Sequence, residues 1–364
     1  MGAKQTIARI RNPEYNDKSL GFMRQQLGLS MSINPELFAA KEIFDAIKLP
    51  AAAKIEYFSR NHLEMVEMKV KQDSSLNGMQ LSDLSSFCKA KVLVCLVQRG
   101  DDVFVPDGNF VLEKGDKIHI TATASEISKM LKKVDLIQKQ TKNIMILGGS
   151  MTAVYLAKML INSGASVKII ESNREKCRKI CETLPNCVVI NGDGASQELL
   201  MEEGLENVDA FVALTGTDEE NILTSLFANS KNIPKVIAKV NRKEHARMAK
   251  NLGLDFIVSP KDSISNVMTR YARALKNSLG SNVETLYKLA DGKAEALEFK
   301  VVDDAEIVNI PIKDLKFKQN ILVCGIIRGK KTIIPSGEDV ILSGDRVIVA
   351  ASNQHLQDLS DILR

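Results

Sequence analysis

The chain has 364 residues, 45% apolar and 26% charged, the balance of a soluble globular protein with room for two to four domains. Its net charge of +4 is spread without a block of like charge, which argues against a nucleic-acid partner. The best apolar runs, Val92–Val97 and Ile321–Ile327, are strand-sized and too short to span a membrane, and the start, MGAKQTIARIR, lacks the apolar stretch of a signal peptide. The first six residues match the loose N-myristoylation pattern, but the segment reads as a strand. None of the six cysteines (Cys88, Cys95, Cys177, Cys181, Cys187, Cys324) forms a C-x-x-C pair, and no histidine lies near the Cys177–Cys187 group. They read as reduced thiols and not as metal ligands. His62, His119, His245 and His355 are scattered and read as surface or cap residues.

In chain order, Thr6–Ile10 reads as a strand, Pro35–Ile47 as a helix, Lys91–Gly100 (KVLVCLVQRG) as a strand and Ser125–Val134 as a helix. From Lys142 the pattern changes. Asn143–Leu147, NIMIL, is the continuous apolar run of a parallel strand buried on both faces. After Gly148-Gly149-Ser150-Met151-Thr152-Ala153, the positions Val154, Ala157 and Leu160-Ile161 recur at helical spacing until Gly164. A second strand, Ser166–Ile170, closes on Glu171. Val188–Ile190 is the third, closed by Asn191-Gly192-Asp193-Gly194, and Ala210–Leu214 the fourth, closed by Thr215-Gly216-Thr217-Asp218. A helix over Glu219–Ser230, strands at Val236–Val240 and Phe256–Val258 and a helix over about Ser263–Leu275 complete the alternation. This order predicts an α/β fold with a doubly wound, Rossmann-type parallel sheet. Residues 282–364 show short strands and turns, ending in a helix over Gln354–Leu363.

The chain also repeats itself. Asn320–Gly329 (NILVCGIIRG) shares Leu-Val-Cys and the closing Arg-Gly with Lys91–Gly100, and Pro335 and Gly344-Asp345 follow as Pro106 and Gly115-Asp116 do in the first copy. Upstream, Thr6–Ile10 matches Val236–Val240, Leu27-Gly28-Leu29 matches Leu252-Gly253-Leu254, and Asn34-Pro35 matches Ser259-Pro260. The second copy runs from Lys142 to Arg364. The first begins at the equivalent of Pro234, so the chain is expected to start inside a domain. The expected layout is a remnant of a first Rossmann domain at 1–60, a small α+β domain at 61–135, an intact Rossmann domain at 142–276 and a second small α+β domain at 282–364.

The intact copy carries the strand–turn–helix–strand–acid order of the dinucleotide fingerprint. Gly148 permits the tight turn, the middle position lets backbone approach a pyrophosphate, and the third lets helix and strand pack closely. The phosphate would rest on the positive end of the helix, and Glu171 would accept from a ribose diol. The charge of Glu171 disfavours a 2′-phosphate, so the expected ligands are NAD(H), ADP or ATP rather than NADP. Two positions depart from the glycine pattern, Ser150 at the middle and Ala153 at the third. Ser150 narrows the approach, although its hydroxyl could donate to a phosphate. Ligands of such sheets lie at the carboxyl ends of the strands. The expected site is therefore Gly148, Gly149, Ser150, Met151, Thr152, Ala153, Glu171, Asp193, Thr215, Gly216, Thr217 and Lys239, with Asp193 read equally well as a turn residue. No Tyr-x-x-x-Lys pair occurs, no histidine lies at a strand end near the fingerprint, and residues 282–364 hold no cluster of His, Cys or paired carboxylates. The chain is therefore not expected to be an enzyme, and an NAD-dependent oxidoreductase is the disfavoured reading.

IARIRNPEY (Ile7–Tyr15), INPELFAA (Ile33–Ala40), VINGDGAS (Val189–Ser196), DAFVALTGTDEENIL (Asp209–Leu223) and LGLDFIVSP (Leu252–Pro260) resemble the Trk-type potassium uptake regulators, the TrkA family. That family is built from tandem RCK (regulator of potassium conductance) units, and the likeness spans nearly the whole chain. It implies a nucleotide-binding RCK_N domain followed by a small RCK_C domain, twice over. The first RCK_N would keep only its last strands and helices, so its site should be dead, with Arg9 the remnant of the position held by Lys239. The resemblance also implies a regulatory subunit that is cytoplasmic, peripheral on the inner face of the cell membrane. Such subunits assemble into dimers or larger rings beneath a membrane-embedded, TrkH/TrkG-like potassium transporter and gate it through nucleotide binding. The helices Pro35–Ile47 and Ser263–Leu275 would then pack between subunits. The family usually has glycine where Ser150 stands. The alternative is thus a structural assembly module with an empty pocket.

Overall fold

The computed structural model describes residues 6–10, 29–48, 54–59, 62–134, 141–254, 256–277, 283–302, 305–354 and 356–364. Leu27-Gly28, residues 11–15 of the first family motif and His355 lie outside them. The chain divides into two units, each drawn from both repeats: Met1–Lys48 with Gln140–Ser265, and Leu49–Lys139 with Asn266–Arg364.

The first unit holds a six-stranded parallel sheet in the spatial order Val188–Asn191, Ser166–Glu171, Asn143–Leu147, Ala210–Ala213, Lys235–Lys239, Phe256–Val258. Numbered along the chain this is 3-2-1-4-5-6, the doubly wound order. Alternate side chains enter two cores. Ile144, Ile146, Val167, Ile169, Ala210 and Val212 face the helix Met151–Asn162 on one side. Met145, Leu147, Ile170, Phe211 and Ala213 face the other, which the helices Asp218–Ser230 and Lys243–Asn251 cover. The central strands Asn143–Leu147 and Ala210–Ala213 are buried on both faces, so they carry apolar runs rather than alternation.

The first repeat contributes a two-stranded parallel pair, Ile7–Arg9 with Met31–Ile33, and the helix Pro35–Lys48. Asn34 caps that helix, its Oδ1 accepting from the Leu37 N–H at 2.9 Å, and Pro35 fills the first helical position, where no N–H is needed. Ala39, Ala40, Ile43, Ala46 and Ile47 pack into the same core as Ala153, Leu156, Ala157 and Leu160. The alanines let the two helices approach closely. Ile43 and Leu156 are fully buried, worth about 2 kcal/mol each.

The second unit holds two five-stranded antiparallel sheets of one topology. The first runs Lys54–Phe58, Leu63–Lys69, Lys117–Ala122, Leu93–Arg99, Asp102–Phe104, and the second Val283–Leu289, Ala294–Lys300, Arg346–Ser352, Ile321–Arg328, Lys331–Ile333. Each has its own core, and a third core joins them. There Phe58 meets Tyr287 edge-on with ring centroids 4.9 Å apart, and the Thr121 hydroxyl donates to the Cys324 carbonyl at 2.9 Å. The residues that marked the repeat are structural. Arg99 forks onto the buried Asp116, and Arg328 onto the buried Asp345, in both cases also donating to a backbone carbonyl, Val111 and Val340. Among the described residues no helix is long and apolar enough to cross a membrane.

Three expectations need adjustment. His119, read as a surface or cap residue, is buried in the strand Lys117–Ala122. The division at 60/61 falls inside a hairpin, because Lys54–Phe58 pairs with Leu63–Lys69 from Lys54↔Glu67 to Phe58↔Leu63. The helix expected over Gln354–Leu363 is only a 3-10 turn, Leu359–Ile362. A capping box between Asp358 and Asp361 delays the helical start to Leu359, and Leu363 is drawn into a bridge with Phe317. In the first repeat Thr123 caps a full helix, Ala124–Lys133, whose Ile127, Met130 and Leu131 form one buried stripe.

Candidate functional site

The strand Asn143–Leu147 lies where the winding of the sheet reverses, between Ser166–Glu171 and Ala210–Ala213. A crevice opens at such a point outside the carboxyl ends of the strands. Gly148, the next residue, has φ of 91°, and its N–H donates to the Ile170 carbonyl at 2.8 Å. A Cβ there would lie 3.0 Å from the backbone of Leu214 and Thr215, which cannot move aside, so only glycine fits. At Gly149 a Cβ would come within 2.5 Å of Ile180 Cδ1. Ser150 is the N-cap of the helix Met151–Asn162, its Oγ accepting from the Ala153 N–H at 3.4 Å. Capping uses a lone pair and leaves the hydroxyl proton free to donate outward. Among the described residues no oxygen accepts from the N–H groups of Ser150, Met151 and Thr152. These open donors and the helix dipole make that end attractive to an anion. Thr152 and Ala153 are buried; Met151 is exposed.

Glu171 closes the turn from the neighbouring strand. Its carboxylate is 7% exposed; Oε2 accepts from the Gly149 N–H at 2.7 Å and Oε1 from the Asn173 N–H at 2.8 Å. Its first partners are thus backbone donors; Oε1 also accepts from the Ser172 hydroxyl at 3.4 Å, so Oε2 is the oxygen that keeps lone-pair capacity for a further donor. Asn191, at the end of the next strand, donates its amide to the carbonyls of Glu171 and Ser172 at 3.0 and 2.9 Å. Asp193 is exposed, and its Oδ1 accepts from the Ala195 N–H at 3.0 Å, which makes it a turn residue.

On the other side of the switch point the strand register, Leu147↔Ala213 and Ala213↔Ala238, sets Thr215 and Lys239 on the same edge as Gly148. The Lys239 ammonium donates to the Thr215 carbonyl at 2.6 Å; burial lowers its pKa, and the charges of Asp218 and Glu36 oppose that shift. Gly216 and Thr217 are exposed, with the Thr217 hydroxyl donating to Glu220. Two residues absent from the expected set hold this loop. Fully buried Asn221 accepts from the Thr215 N–H at 2.8 Å and donates to the Lys239 carbonyl at 2.9 Å. Buried Asp218 accepts from the N–H groups of Asn241 and Arg242, both at 2.9 Å. Burial alone would raise its pKa, but these donors hold it below the ordinary carboxylate value. The usable signal was positional: an acid and an amide in the first helical turn after a strand end commonly bond neighbouring backbone.

The TrkA-N domain family matches residues 144–260, and the TrkA-C domain family matches 65–135 and 296–364. A Trk system potassium uptake protein TrkA homolog of Methanosarcina mazei is 31% identical over 95% of this chain and 75% of its own length. The chain belongs to the TrkA family. The Haemophilus influenzae Trk system potassium uptake protein TrkA is 29% identical over 96% of the chain and 76% of its own length. Among solved structures, a GsuK channel bound to NAD shares the fold with a TM-score of 0.55 at 14% identity, covering 96% of the chain; the chain spans 60% of that channel's length. Every expected site residue falls inside the segment matched by the TrkA-N domain family.

The site brings Gly148 to Ala153, Glu171, Thr215 and Lys239 onto one edge, while Asp193 serves its own turn. His245 Nδ1 lies 3.5 Å from Asp218 Oδ2 and 3.8 Å from Glu219 Oε1. The arrangement can hold an anion and fix the backbone around it.

Proposed function

We propose that this chain is a nucleotide-sensing regulatory subunit of potassium uptake, cytoplasmic and peripheral to the membrane, gating a Trk-type transporter. The ligand proposed is NAD(H), ADP or ATP, bound over Gly148–Ala153. The observation that carries this reading is a helix N-terminus with open N–H donors, placed at the switch point of a doubly wound sheet behind a turn that only glycine can make. The phosphates would rest on the N–H groups of Ser150 to Thr152, with the Ser150 hydroxyl as a further donor. The ribose would approach the remaining lone pairs of Glu171. The described contact of NAD with a GsuK channel, a protein of the same fold, supports an adenine nucleotide.

Gating requires that a nucleotide bind one conformation of the assembly more tightly than another. We propose rings or dimers of this chain as that assembly and a membrane-embedded, TrkH/TrkG-like potassium transporter as its partner, following the names of its relatives. One observation favours the second reading, an assembly module without ligand: Ser150 already satisfies one of the helix N–H groups. Calorimetric titration of the whole chain with NAD, NADH, ADP and ATP separates the two.

A further inference from the structure

The helix Pro35–Lys48 belongs to the first repeat, yet its cap reaches the fingerprint helix of the second. Asn34 uses both ends of its amide. Oδ1 caps its own helix through the Leu37 N–H at 2.9 Å, and Nδ2 donates to the Tyr155 hydroxyl at 3.1 Å. Tyr155 lies one turn into Met151–Asn162, the helix whose N-terminus forms the candidate phosphate site. The matching cap in the second repeat is Ser259, whose hydroxyl accepts from the Asp262 N–H at 3.4 Å. Serine is enough for capping. The longer amide of Asn34 adds only the donor that Tyr155 takes. Further along the same helix, Glu42 Oε2 accepts from the Ser263 hydroxyl at 2.6 Å, and Ser263 lies in the first turns of Pro260–Asn277. One helix is thereby fastened at its start to the fingerprint helix and in its middle to the helix that continues toward the last domain. Between the two fastenings it is packed through alanines, a contact that tolerates little sliding.

We propose that Asn34 is a positioning residue that passes nucleotide occupancy of the second repeat to the linking helices of both repeats. The inference rests on the nucleotide reading above. A phosphate at the N-terminus of Met151–Asn162 fixes that helix's first turns, holds the Tyr155 hydroxyl in place, and so steadies the Asn34 cap and the first turn of Pro35–Lys48. Coupling is reciprocal, so loss of the contact also weakens nucleotide binding, by no more than about fivefold for one neutral hydrogen bond.

The test is hydrogen exchange on the whole chain, with and without saturating NAD, NADH, ADP or ATP, after calorimetry has shown which of them binds. In the wild type the bound nucleotide should slow exchange of the Leu37–Lys41 amides by about fivefold. Tyr155→Phe and Asn34→Ser keep the packing and the cap respectively, and should bind within about fivefold of wild type while losing the nucleotide-dependent slowing. Asn34→Asp still caps and can accept from the Tyr155 hydroxyl, so it should restore the slowing. A merely structural contact would quicken exchange equally in free and bound protein and leave their ratio unchanged, which overturns the proposal. So does a wild type that binds nucleotide without slowing these amides, a result that leaves the nucleotide reading intact. If no nucleotide binds the wild type, both fall together.

Discussion

Replacing Glu171 by Gln tests whether the acid is a latch for the glycine turn. The carboxylate is buried and receives two backbone N–H groups, from Gly149 at 2.7 Å and Asn173 at 2.8 Å. Gln has nearly the same shape, so no cavity forms, but it offers one carbonyl oxygen. Its NH2 must then face the other backbone N–H, donor against donor. One charge-assisted bond is lost, at about 2 kcal/mol, and a buried N–H is stranded, for a total cost of about 3 kcal/mol. With an m-value of about 2 kcal/mol/M, the urea midpoint of the first unit should fall by about 1.5 M. The chain has two units, so a single two-state fit is not justified. The transition should be followed by far-UV circular dichroism and assigned by hydrogen exchange at Gly149 and Ser150. A midpoint change below about 0.3 M would refute the latch, because that is under the worth of one hydrogen bond.

Three further outcomes are expected. Ala40→Leu should overfill the contact between Pro35–Lys48 and Met151–Asn162, costing about 1–3 kcal/mol, read as faster exchange throughout the first-repeat helix. Asp218→Asn should lower the urea midpoint at pH 7. Because the folded pKa of Asp218 is depressed, its contribution is complete above the unfolded value of about 4 and is lost as pH falls through the folded value. The gap between wild type and variant should therefore be constant above about pH 4 and narrow progressively in midpoints measured below it. Arg328→Ala removes the ionic partner of the Asp345 carboxylate, which is 1% exposed and keeps the Leu342 N–H at 2.9 Å, and should cost about 3 kcal/mol in thermal unfolding of the second unit. Arg328→Lys should recover only part of this, since lysine cannot make the forked contact.

The Rossmann sheet was legible because burial on both faces writes itself as unbroken apolar runs. NIMIL at Asn143–Leu147 and AFVA at Ala210–Ala213 appear in the structure as fully parallel strands. The repeat was legible too, and it foretold that both antiparallel sheets share one topology. Hidden from the sequence was how the pieces combine. The first-repeat helix joins the second repeat's core through alanines, which carry no periodic signal of their partner. Within the site, Gly148 could be assigned its turn from sequence, whereas the inward aim of Glu171 depends on where Asn173 and Gly149 place their N–H groups. Asn221 and Asp218 carry no site signal in the sequence because polar residues at a helix start usually face solvent, and their burial depends on the following strand and loop. The failed helix after Gln354 shows local bonding overruling composition, since Asp358 and Asp361 satisfy backbone donors that a longer helix would have used internally.

We propose that the edge formed by Gly148–Ala153, Glu171, Thr215 and Lys239 holds an adenine nucleotide. Isothermal titration of the full chain with NAD, NADH, ADP and ATP tests it most directly. At least one is expected to bind more tightly than about 1 mM, or about −4 kcal/mol, at one site per chain, and more weakly in Glu171→Ala. Binding of none of the four below that concentration would contradict it.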